Sequence, residues 1–250
     1  MKHSFSFPKG LLVGCLLGAV ALFSACKDDD NNNMQPDVAG FMAFNLAPDQ
    51  SAIGLSLSGN QLRSPLPYMS YTGGYVAIYP GDRSTDAFSY DNGNTLATAT
   101  QTYVPQKYYS AFVIGTKDNY QNIIVNDGLD TLNAAKGKAY VRYINALTGT
   151  TTTDVQISND TSVLFTGEAA YGQVSPFMAL DASAITIAIG DGNKVDTSRT
   201  ITLEDQKAYT VLFAGNPEGD QPTDSVQIRY VENGTLTLDS TAEDLSKKSR

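Results

Sequence analysis

The stretch YVPQKYYSAFVIG, residues 103–115, aligns without a gap on LEDQKAYTVLFAG, residues 203–215. The same offset of one hundred residues pairs identical residues elsewhere, among them Ala39 with Ala139, Asn45 with Asn145, Ser58 with Ser158, Tyr71 with Tyr171 and Asp91 with Asp191. A single spacing held over this length indicates an internal duplication. The sequence therefore predicts two homologous domains, at residues 38–130 and 138–238, joined by a linker at residues 131–137.

Both units carry the period-two pattern of half-buried β-strands. Tyr209, Val211 and Phe213 alternate with small or polar residues, as do Val155 and Ile157. Sequences typical of tight turns, such as Asp-Asn-Gly-Asn and Asn-Gly, separate these stretches at short intervals. Each unit of about 95 residues can bury one core. The chain is thus predicted to be all-β, with two tandem immunoglobulin-like antiparallel β-sandwich domains.

The aligned segments also place a tyrosine at matching positions, Tyr109 and Tyr209. In each segment an apolar residue ends one strand, a polar turn follows, and the tyrosine opens the next strand. This spacing resembles the tyrosine corner of Greek-key sandwiches, in which the ring packs in the core and the hydroxyl bonds to backbone across the turn. Tyr109 and Tyr209 are therefore predicted to be structural.

Two motifs together resemble a known family. YVRYINA, residues 140–146, opens the second unit, and residues 203–215 lie near its end. The combination is similar to the domain of unknown function 4397, which occurs in secreted and lipid-anchored bacterial proteins, often in tandem. The first unit departs from the usual arginine-containing opening at residues 41–48. The resemblance implies a β-sandwich fold over most of the chain but no activity, because the family has none assigned.

Residues 1–25 have the composition of a secretory signal peptide. A short basic segment ending at Lys9 precedes an apolar run over residues 10–23 and the small residues Ser24 and Ala25. A membrane-spanning helix is the competing interpretation, but the run is shorter than the roughly 20 apolar residues that a span needs. Phe-Ser-Ala-Cys, residues 23–26, resembles the lipobox of bacterial lipoproteins. That resemblance implies cleavage before Cys26, diacylglycerol on its sulfur, and acylation of the new amino terminus by a chain such as palmitate, which together make a lasting anchor.

Cleavage at Cys26 would also remove the only histidine, His3, and the only other cysteine, Cys15. The mature chain would then hold no histidine, free thiol or tryptophan, which excludes histidine- and cysteine-based nucleophilic catalysis and histidine or thiolate zinc sites. It would carry 15 basic and 26 acidic side chains, a net charge of −11, so nucleic acid is not an expected partner. No catalytic residue, metal site or cofactor is predicted.

Residues 26–37 form a predicted flexible acidic tether. Lys-Asp-Asp-Asp, residues 27–30, resembles the acidic export signal of surface-displayed lipoproteins in some Gram-negative anaerobes. This implies an outer membrane lipoprotein that faces the cell exterior, with a merely solvated tether as the alternative. The tail at residues 239–250 is predicted to be disordered. Short matches to the O-glycosylation signal of such bacteria imply modification at Thr131 and Ser240.

A group of tyrosines in the first unit is the candidate ligand-binding surface. If residues 74–79 form a strand, Val76 and Ile78 face one side while Tyr75 and Tyr79 face the other. Together with Tyr71, this outward pair could stack on sugar rings or peptide side chains. The alternative is that the tyrosines fill a core or a cross-strand aromatic pair.

The sequence therefore favours a lipid-anchored cell-envelope protein that acts as a non-catalytic binding, adhesion or spacer module. Its partners would be the membrane, through the lipid anchor, and an extracellular glycan or protein. The first alternative is a glycan-capture accessory lipoprotein of a polysaccharide-uptake system. The second is a hydrolase that uses a pair of carboxylates about 5 to 10 Å apart in a cleft.

Overall fold

The structure is a computed structural model that describes residues 37–236 except Arg63, Asp118, Asn193 and Lys194. The predicted signal peptide, all but the last residue of the predicted tether, and the predicted tail lie outside the described residues. The described residues belong to one compact unit. Within this part of the chain, no helix has the length and apolar character needed to cross a bilayer.

The described residues form seventeen strands and two short 3₁₀ turns. The first repeat contains β1 (Ala39–Asn45), β2 (Ala52–Leu57), β3 (Asn60–Gln61), β4 (Leu66–Pro67), β5 (Val76–Ile78), β6 (Gly81–Ser89), β7 (Thr95–Tyr103), β8 (Tyr108–Ile114) and β9 (Gln121–Asn126). The second contains β10 (Lys138–Leu147), β11 (Thr152–Ser158), β12 (Val163–Ala170), β13 (Met178–Asp181), β14 (Ala184–Gly190), β15 (Asp196–Thr202), β16 (Lys207–Gly215) and β17 (Gln227–Thr235). The 3₁₀ turns are Leu129–Thr131 and Pro222–Asp224.

Each repeat is a sandwich of two sheets. In the first repeat, the inner sheet has the order β5-β1-β8-β9, and the outer sheet has the order β3-β2-β6-β7 with β4 also on β2. In the second repeat, the inner sheet is β13-β10-β16-β17 and the outer sheet is β12-β11-β14-β15. The prediction of all-β sandwich domains is confirmed.

Three hydrophobic cores lie between the four sheets. One core fills the first sandwich, around Phe41 and Ile53, and a second fills the other sandwich, around Val141 and Ile187. The third joins residues of both repeats, including Phe44, Phe112, Tyr140, Ile144 and Leu212. The two inner sheets therefore face each other, and the repeats stack as four layers.

This stacking explains the composition of the central strands. Every residue of β1 and β8 is buried, as is every residue after the first in β10 and β16. Such strands pack against a sheet on both faces, so they carry nearly continuous apolar runs instead of alternation. Strands of the outer sheets, such as β11, keep the alternation because one of their faces meets solvent.

One strand pair in each repeat departs from the antiparallel expectation. β1 runs parallel to β8, and β10 runs parallel to β16. The remaining pairs are antiparallel. Parallel neighbours need a long connection between them, and in each repeat the outer sheet supplies it.

The spacing of one hundred residues does not hold over the whole fold. The amide of Met69 donates to the carbonyl of Asn45, and the amide of Gly172 donates to the carbonyl of Asn145, so this turn matches at an offset of 103. Sequence alignment had paired Tyr71 with Tyr171. In the structure Tyr171 matches Tyr68, since their amides donate to the carbonyls of Thr151 and Ser51. The second repeat is three residues longer here, because the hairpin between β11 and β12 is longer than the one between β2 and β3, and a gapless alignment misses this difference.

The segment that joins the two repeats contacts the turn before β8 and the turn before β16. Lys107, in the turn before β8, forms an ion pair with Asp130 at 2.5 Å. Four residues later, the carbonyl of Ala134 accepts a hydrogen bond from the side chain of Gln206, in the matching turn before β16. Four residues span at most about 14 Å. These two turns therefore lie at the same end of the molecule.

Both ends of the described chain lie at the same end of the molecule as these two turns. The amide of Gln106 donates to the carbonyl of Val38 at 2.8 Å, and the amide of Leu236 donates to the carbonyl of Gln206 at 2.7 Å. Strands β8 and β16 lead away from this end. The described residues of the loops that follow them, 115–117 with 119–120 and 216–226, lie at the opposite end.

Candidate functional site

The three tyrosines predicted to contact a ligand lie in three different environments. Tyr79 is 68% exposed, Tyr71 is half-buried and Tyr75 is only 5% exposed. Tyr75 and Tyr79 therefore do not form the outward pair that the alternation suggested. Tyr71 lines a groove, whereas Tyr75 belongs to the core between the repeats.

The position of Tyr75 follows from the layering of the sheets. Val76 and Ile78 pack on the core of the first sandwich, and Tyr75 packs on the other side of the inner sheet, as the alternation predicts. That other side faces the second repeat instead of solvent. A strand pattern gives the face on which a side chain lies, but it does not give what covers that face.

The groove lies at the edge of the first sandwich and has a volume of about 730 Å³. Leu62, Pro65 and Leu66, which border the outer sheet, form one wall. Tyr71, Val76 and Ala77, next to the inner sheet, form the other wall. The groove therefore lies between the open edges of the two sheets.

Tyr71 borders the groove, while its ring packs against the core between the repeats. The ring stacks on Phe44 with a centroid distance of 5.6 Å and an interplanar angle of 15°, and the two residues also form an isolated β-bridge. The side chains of Gln61, Ser64 and Thr72 supply polar groups along the same walls. A groove with apolar walls and hydroxyl and amide groups suits an uncharged polar ligand.

A buried polar cluster lies between the inner sheets. Its members, from both repeats, are Tyr75, Ser110, Asp127, Arg142, Thr210 and Asn233, all at most 5% exposed. Arg142 Nη1 lies 2.7 Å from Asp127 Oδ1. Each buried charge thus has a counter-charge from the other repeat.

Two hydroxyls connect the cluster in the same way on both sides. Ser110 Oγ accepts from Arg142 Nη2 at 2.9 Å and donates to Asp127 Oδ2 at 2.8 Å. Thr210 Oγ1 accepts from Arg142 Nε at 2.9 Å and donates to Asn233 Oδ1 at 2.6 Å. The cluster therefore surrounds both charges with polar groups, although among the described residues Asp127 Oδ1 has only its ion-pair contact with Arg142.

Tyr75 closes this network. Its hydroxyl donates to Asp127 Oδ2 and accepts from Asn233 Nδ2 at 3.0 Å. Burial raises the pKa of Tyr75 well above its usual value, and the neighbouring Asp127 acts in the same direction. Tyr75 is therefore an uncharged hydrogen-bond donor in this interface.

Tyr68 lies where the first repeat approaches the second, and its titration gives a testable pH dependence. Burial, followed by Asp224, raises its pKa to about 12, although Arg229 acts in the opposite direction. Because the folded state favours the protonated hydroxyl, this contribution to the free energy of unfolding is present below about pH 10 and is lost toward pH 12. We expect Tyr68→Phe to lose less stability than the wild type between about pH 9.5 and 11.5, as measured by urea midpoints.

The control for this titration is Tyr90→Phe. Tyr90 is 59% exposed, so its replacement should leave the alkaline loss of stability as in the wild type. Equal slopes for the wild type and Tyr68→Phe would contradict the assignment.

Tyr109 and Tyr209 have the geometry expected of tyrosine corners. Tyr109 is buried, and its hydroxyl accepts from the amide of Val104 at 3.0 Å and donates to the carbonyl of Thr102 at 3.3 Å. The hydroxyl of buried Tyr209 accepts from the amide of Glu204 at 3.0 Å. Both hydroxyls are thus engaged with backbone across the turn.

Sequence reasoning missed a group of carboxylates on the outer sheet of the second repeat. Asp154 and Glu168 are paired across β11 and β12, and together with Asp196 they line a cleft of about 500 Å³. All three residues are exposed. The sequence signal for Asp154 was the alternation in β11, which places this residue on the solvent face. Its pairing with Glu168 depends on the strand register, which the sequence did not give.

The remaining predicted sites are the lipidation site and the two O-glycosylation sites. Thr131 is exposed in the linker, and its hydroxyl donates to the carbonyl of Gly128. Cys26 and Ser240 lie outside the described residues. Within residues 37–236, apart from the four undescribed positions, no three carboxylate, histidine or thiol groups are placed to hold a metal ion.

Comparison with solved structures gives distant likenesses. A "putative cell adhesion protein" from Bacteroides ovatus is 8% identical, with a TM-score of 0.24 over 82% of this chain and 99% of that one. A second protein so described, from Bacteroides uniformis, is 10% identical, with a TM-score of 0.22 over 80% and 100%. CBMbc (family CBM26) from Eubacterium rectale Amy13K, solved in complex with maltoheptaose, is 12% identical, with a TM-score of 0.23 over 77% and 96%. At these scores the likenesses carry no conclusion about function.

Comparison with curated proteins gives no match. Comparison with protein families gives two matches to one family, described as "Domain of unknown function (DUF4397)", over residues 39–156 and 139–242. Together the matches cover most of the chain, and each contains one of the two sandwiches. The resemblance drawn from residues 140–146 and 203–215 is confirmed. The chain belongs to the DUF4397 family and carries two copies of its domain in tandem.

Proposed function

We propose that the protein is a lipid-anchored outer membrane protein that faces the cell exterior and acts as a non-catalytic binding or adhesion module. The observation that carries this proposal is the third core. It joins the two repeats into one body, which has both ends of the described chain on one side and loops of both repeats on the other. A ligand bound at the loops or at the groove would be held at a fixed distance from the anchored end.

The anchor is tested by replacing Cys26 with alanine. Without the thiol that carries the lipid, we expect the protein to move from the membrane fraction to the soluble fraction, or to persist as an uncleaved precursor. Cys15→Ala is the matched control, since it removes the other cysteine of the chain, and it should leave the protein in the membrane. Wild-type protein with an unmodified Cys26 by intact mass would contradict the proposal.

Glycan capture is the second candidate function, and the groove beside Tyr71 favours it. Its apolar walls and polar side chains are suited to contact with uncharged sugars. Ala77 is exposed on β5 and lines the groove. An arginine in its place would occupy the groove without disturbing a core.

The second repeat provides a matched control for this variant. Ala77 pairs with Gly40, and Ala179 pairs with Tyr140 at the corresponding position of the other inner sheet. We expect Ala77→Arg to weaken binding of neutral oligosaccharides such as cellohexaose or xylohexaose at least about tenfold in titration calorimetry. Ala179→Arg should bind them as the wild type does. Equal affinity in both variants would remove the groove as the glycan site.

The carboxylates near Asp154 do not displace this proposal. A glycosidase needs one carboxyl group held protonated by its surroundings and another held ionised. Asp154 and Glu168 are both exposed on an open sheet, so their surroundings do not differ in that way. The proposed role therefore remains binding without catalysis.

A further inference from the structure

We propose that Arg142 and Asp127 determine which repeat pairs with which, so that the inner sheet of the first repeat selects that of the second and rejects a copy of itself. The interface is built from matching faces of two homologous domains. An interface of this kind is close to self-complementary. Some feature must therefore disfavour pairing between like repeats.

The two faces carry matching positions around the buried cluster. Ser110 and Thr210 occupy equivalent places on β8 and β16, and both accept from Arg142. Asp127 follows the residue that pairs with Tyr109, and Asn233 follows the residue that pairs with Tyr209. The carboxylate of the first repeat thus corresponds to a carboxamide in the second.

The arginine has no charged counterpart in the first repeat. Met42 and Arg142 occupy equivalent positions, because Met42 pairs with Ser110 on β8 as Arg142 pairs with Thr210 on β16. Both Met42 and Arg142 are buried. In the buried cluster, the first repeat therefore contributes the negative charge, and the second repeat contributes the positive charge.

Pairing of like repeats would bury uncompensated charge. Two second repeats would bring two copies of Arg142 together with only Thr210 and Asn233 to accept from them. Two first repeats would bring two copies of Asp127 together with no cation. A buried charge without its partner is strongly unfavourable, whereas a partnered one is tolerated. The charges therefore act against the wrong pairing more than they favour the right one.

This selectivity has a role on a membrane where anchored copies are crowded. Pairing of like repeats between neighbouring chains would leave a free inner sheet at each end and lead to open assemblies. The correct pairing is available within one chain, because the linker keeps the second repeat at a high effective concentration. Each chain then closes on itself.

The test uses the full chain with a protease recognition sequence inserted between Lys136 and Gly137, which are both exposed. The nicked protein is unfolded in urea, refolded, and its pairs are counted by native mass spectrometry. We expect mixed pairs to exceed like pairs about a hundredfold in the wild type. Comparable amounts of like and mixed pairs would overturn the proposal.

Two test variants show whether Arg142 and Asp127 cause the preference for mixed pairs. Arg142→Met with Asp127→Asn gives both faces the same uncharged groups, and like pairs should rise to the level of mixed pairs. Asn233→Asp gives the second repeat a carboxylate at the position equivalent to Asp127, where it can face Arg142 of a second copy, so like pairs of the second repeat alone should rise about tenfold. Lys207→Met, which breaks a surface ion pair with Glu232 at 2.9 Å, should leave the mixed pairs dominant. Exclusion of like pairs that persists in both test variants would show that Arg142 and Asp127 do not set the pairing.

Discussion

Replacing Arg142 with methionine, the residue at the equivalent position of the first repeat, should lower the free energy of unfolding by about 3–5 kcal/mol. The substitution preserves most of the side-chain volume but leaves Asp127 buried without its cation. It also removes the donors to Ser110 and Thr210. Urea unfolding followed by far-ultraviolet circular dichroism measures the loss.

A double variant tests whether the cost of Arg142→Met comes from the carboxylate that it leaves unpaired. Adding Asp127→Asn to Arg142→Met should recover a large part of the lost stability, because a neutral amide costs less to bury than an unpaired carboxylate. The exposed ion pair between Lys138 and Asp181 is the control, and Lys138→Met should cost less than about 1 kcal/mol. If Arg142→Met were as mild as that control, the buried pair would not hold the interface.

Replacing Asn145 with alanine should lower the free energy of unfolding by about 2–5 kcal/mol. The side chain is fully buried. It donates to the carbonyl of Ala169 at 2.8 Å and to Thr153 at 3.3 Å, and it accepts from the amide of Leu147 at 3.1 Å. Its removal leaves buried backbone groups without partners, and thermal or urea unfolding would show the loss.

Asn45→Ala is a matched variant for this prediction, and Asn92→Ala is its control. Asn45 has the same arrangement in the first repeat, where it donates to the carbonyl of Leu66 at 3.0 Å and accepts from the amide of Ala47 at 3.1 Å. Asn45→Ala should therefore be about as costly as Asn145→Ala. Asn92→Ala deletes an exposed asparagine that bonds to a nearby amide, and its cost should stay below about 1 kcal/mol. A mild Asn145→Ala would mean that the strand end rearranges to satisfy the freed groups.

The pairing of Asn45 with Asn145 was visible in the sequence, as were the two sandwiches and the tyrosine corners. Local signals carry these features. Identical residues at one spacing indicate the duplication, and alternating residues in segments such as β11 indicate a strand with one solvent face. Neither signal depends on how the two repeats meet.

The contact between the repeats was not predicted, and the error over Tyr75 follows from it. β1, β10 and β16 lack alternation, which indicates burial on both faces, but the pattern does not say which sheet provides the second cover. Arg142 stands in such a run, within Lys138–Leu147. A charged residue at that place was the clearest available sign of a buried partner, and the partner itself, Asp127, becomes apparent only with the fold.

The groove beside Tyr71 was also beyond the sequence. It forms where the strand opposite β2 is interrupted between Gln61 and Leu66, whereas the matching β12 is continuous from Val163 to Ala170. The two units were aligned without gaps in this region. A gapless alignment hides the interruption between Gln61 and Leu66, which opens the groove in the first repeat alone.

The parallel pairing of β1 with β8 determines how the protein responds to tension. If the chain is anchored at Cys26 as proposed, a pull on the anchor would enter the described chain at residue 37 and reach β1 first. β1 is bonded to β8 over six residue pairs and to β5 over three. Force along the strand loads these bonds in shear, so they must yield together and not one after another as in a hairpin opened from its end. In a protein anchored as proposed, β1 would thus resist being pulled out of the sheet.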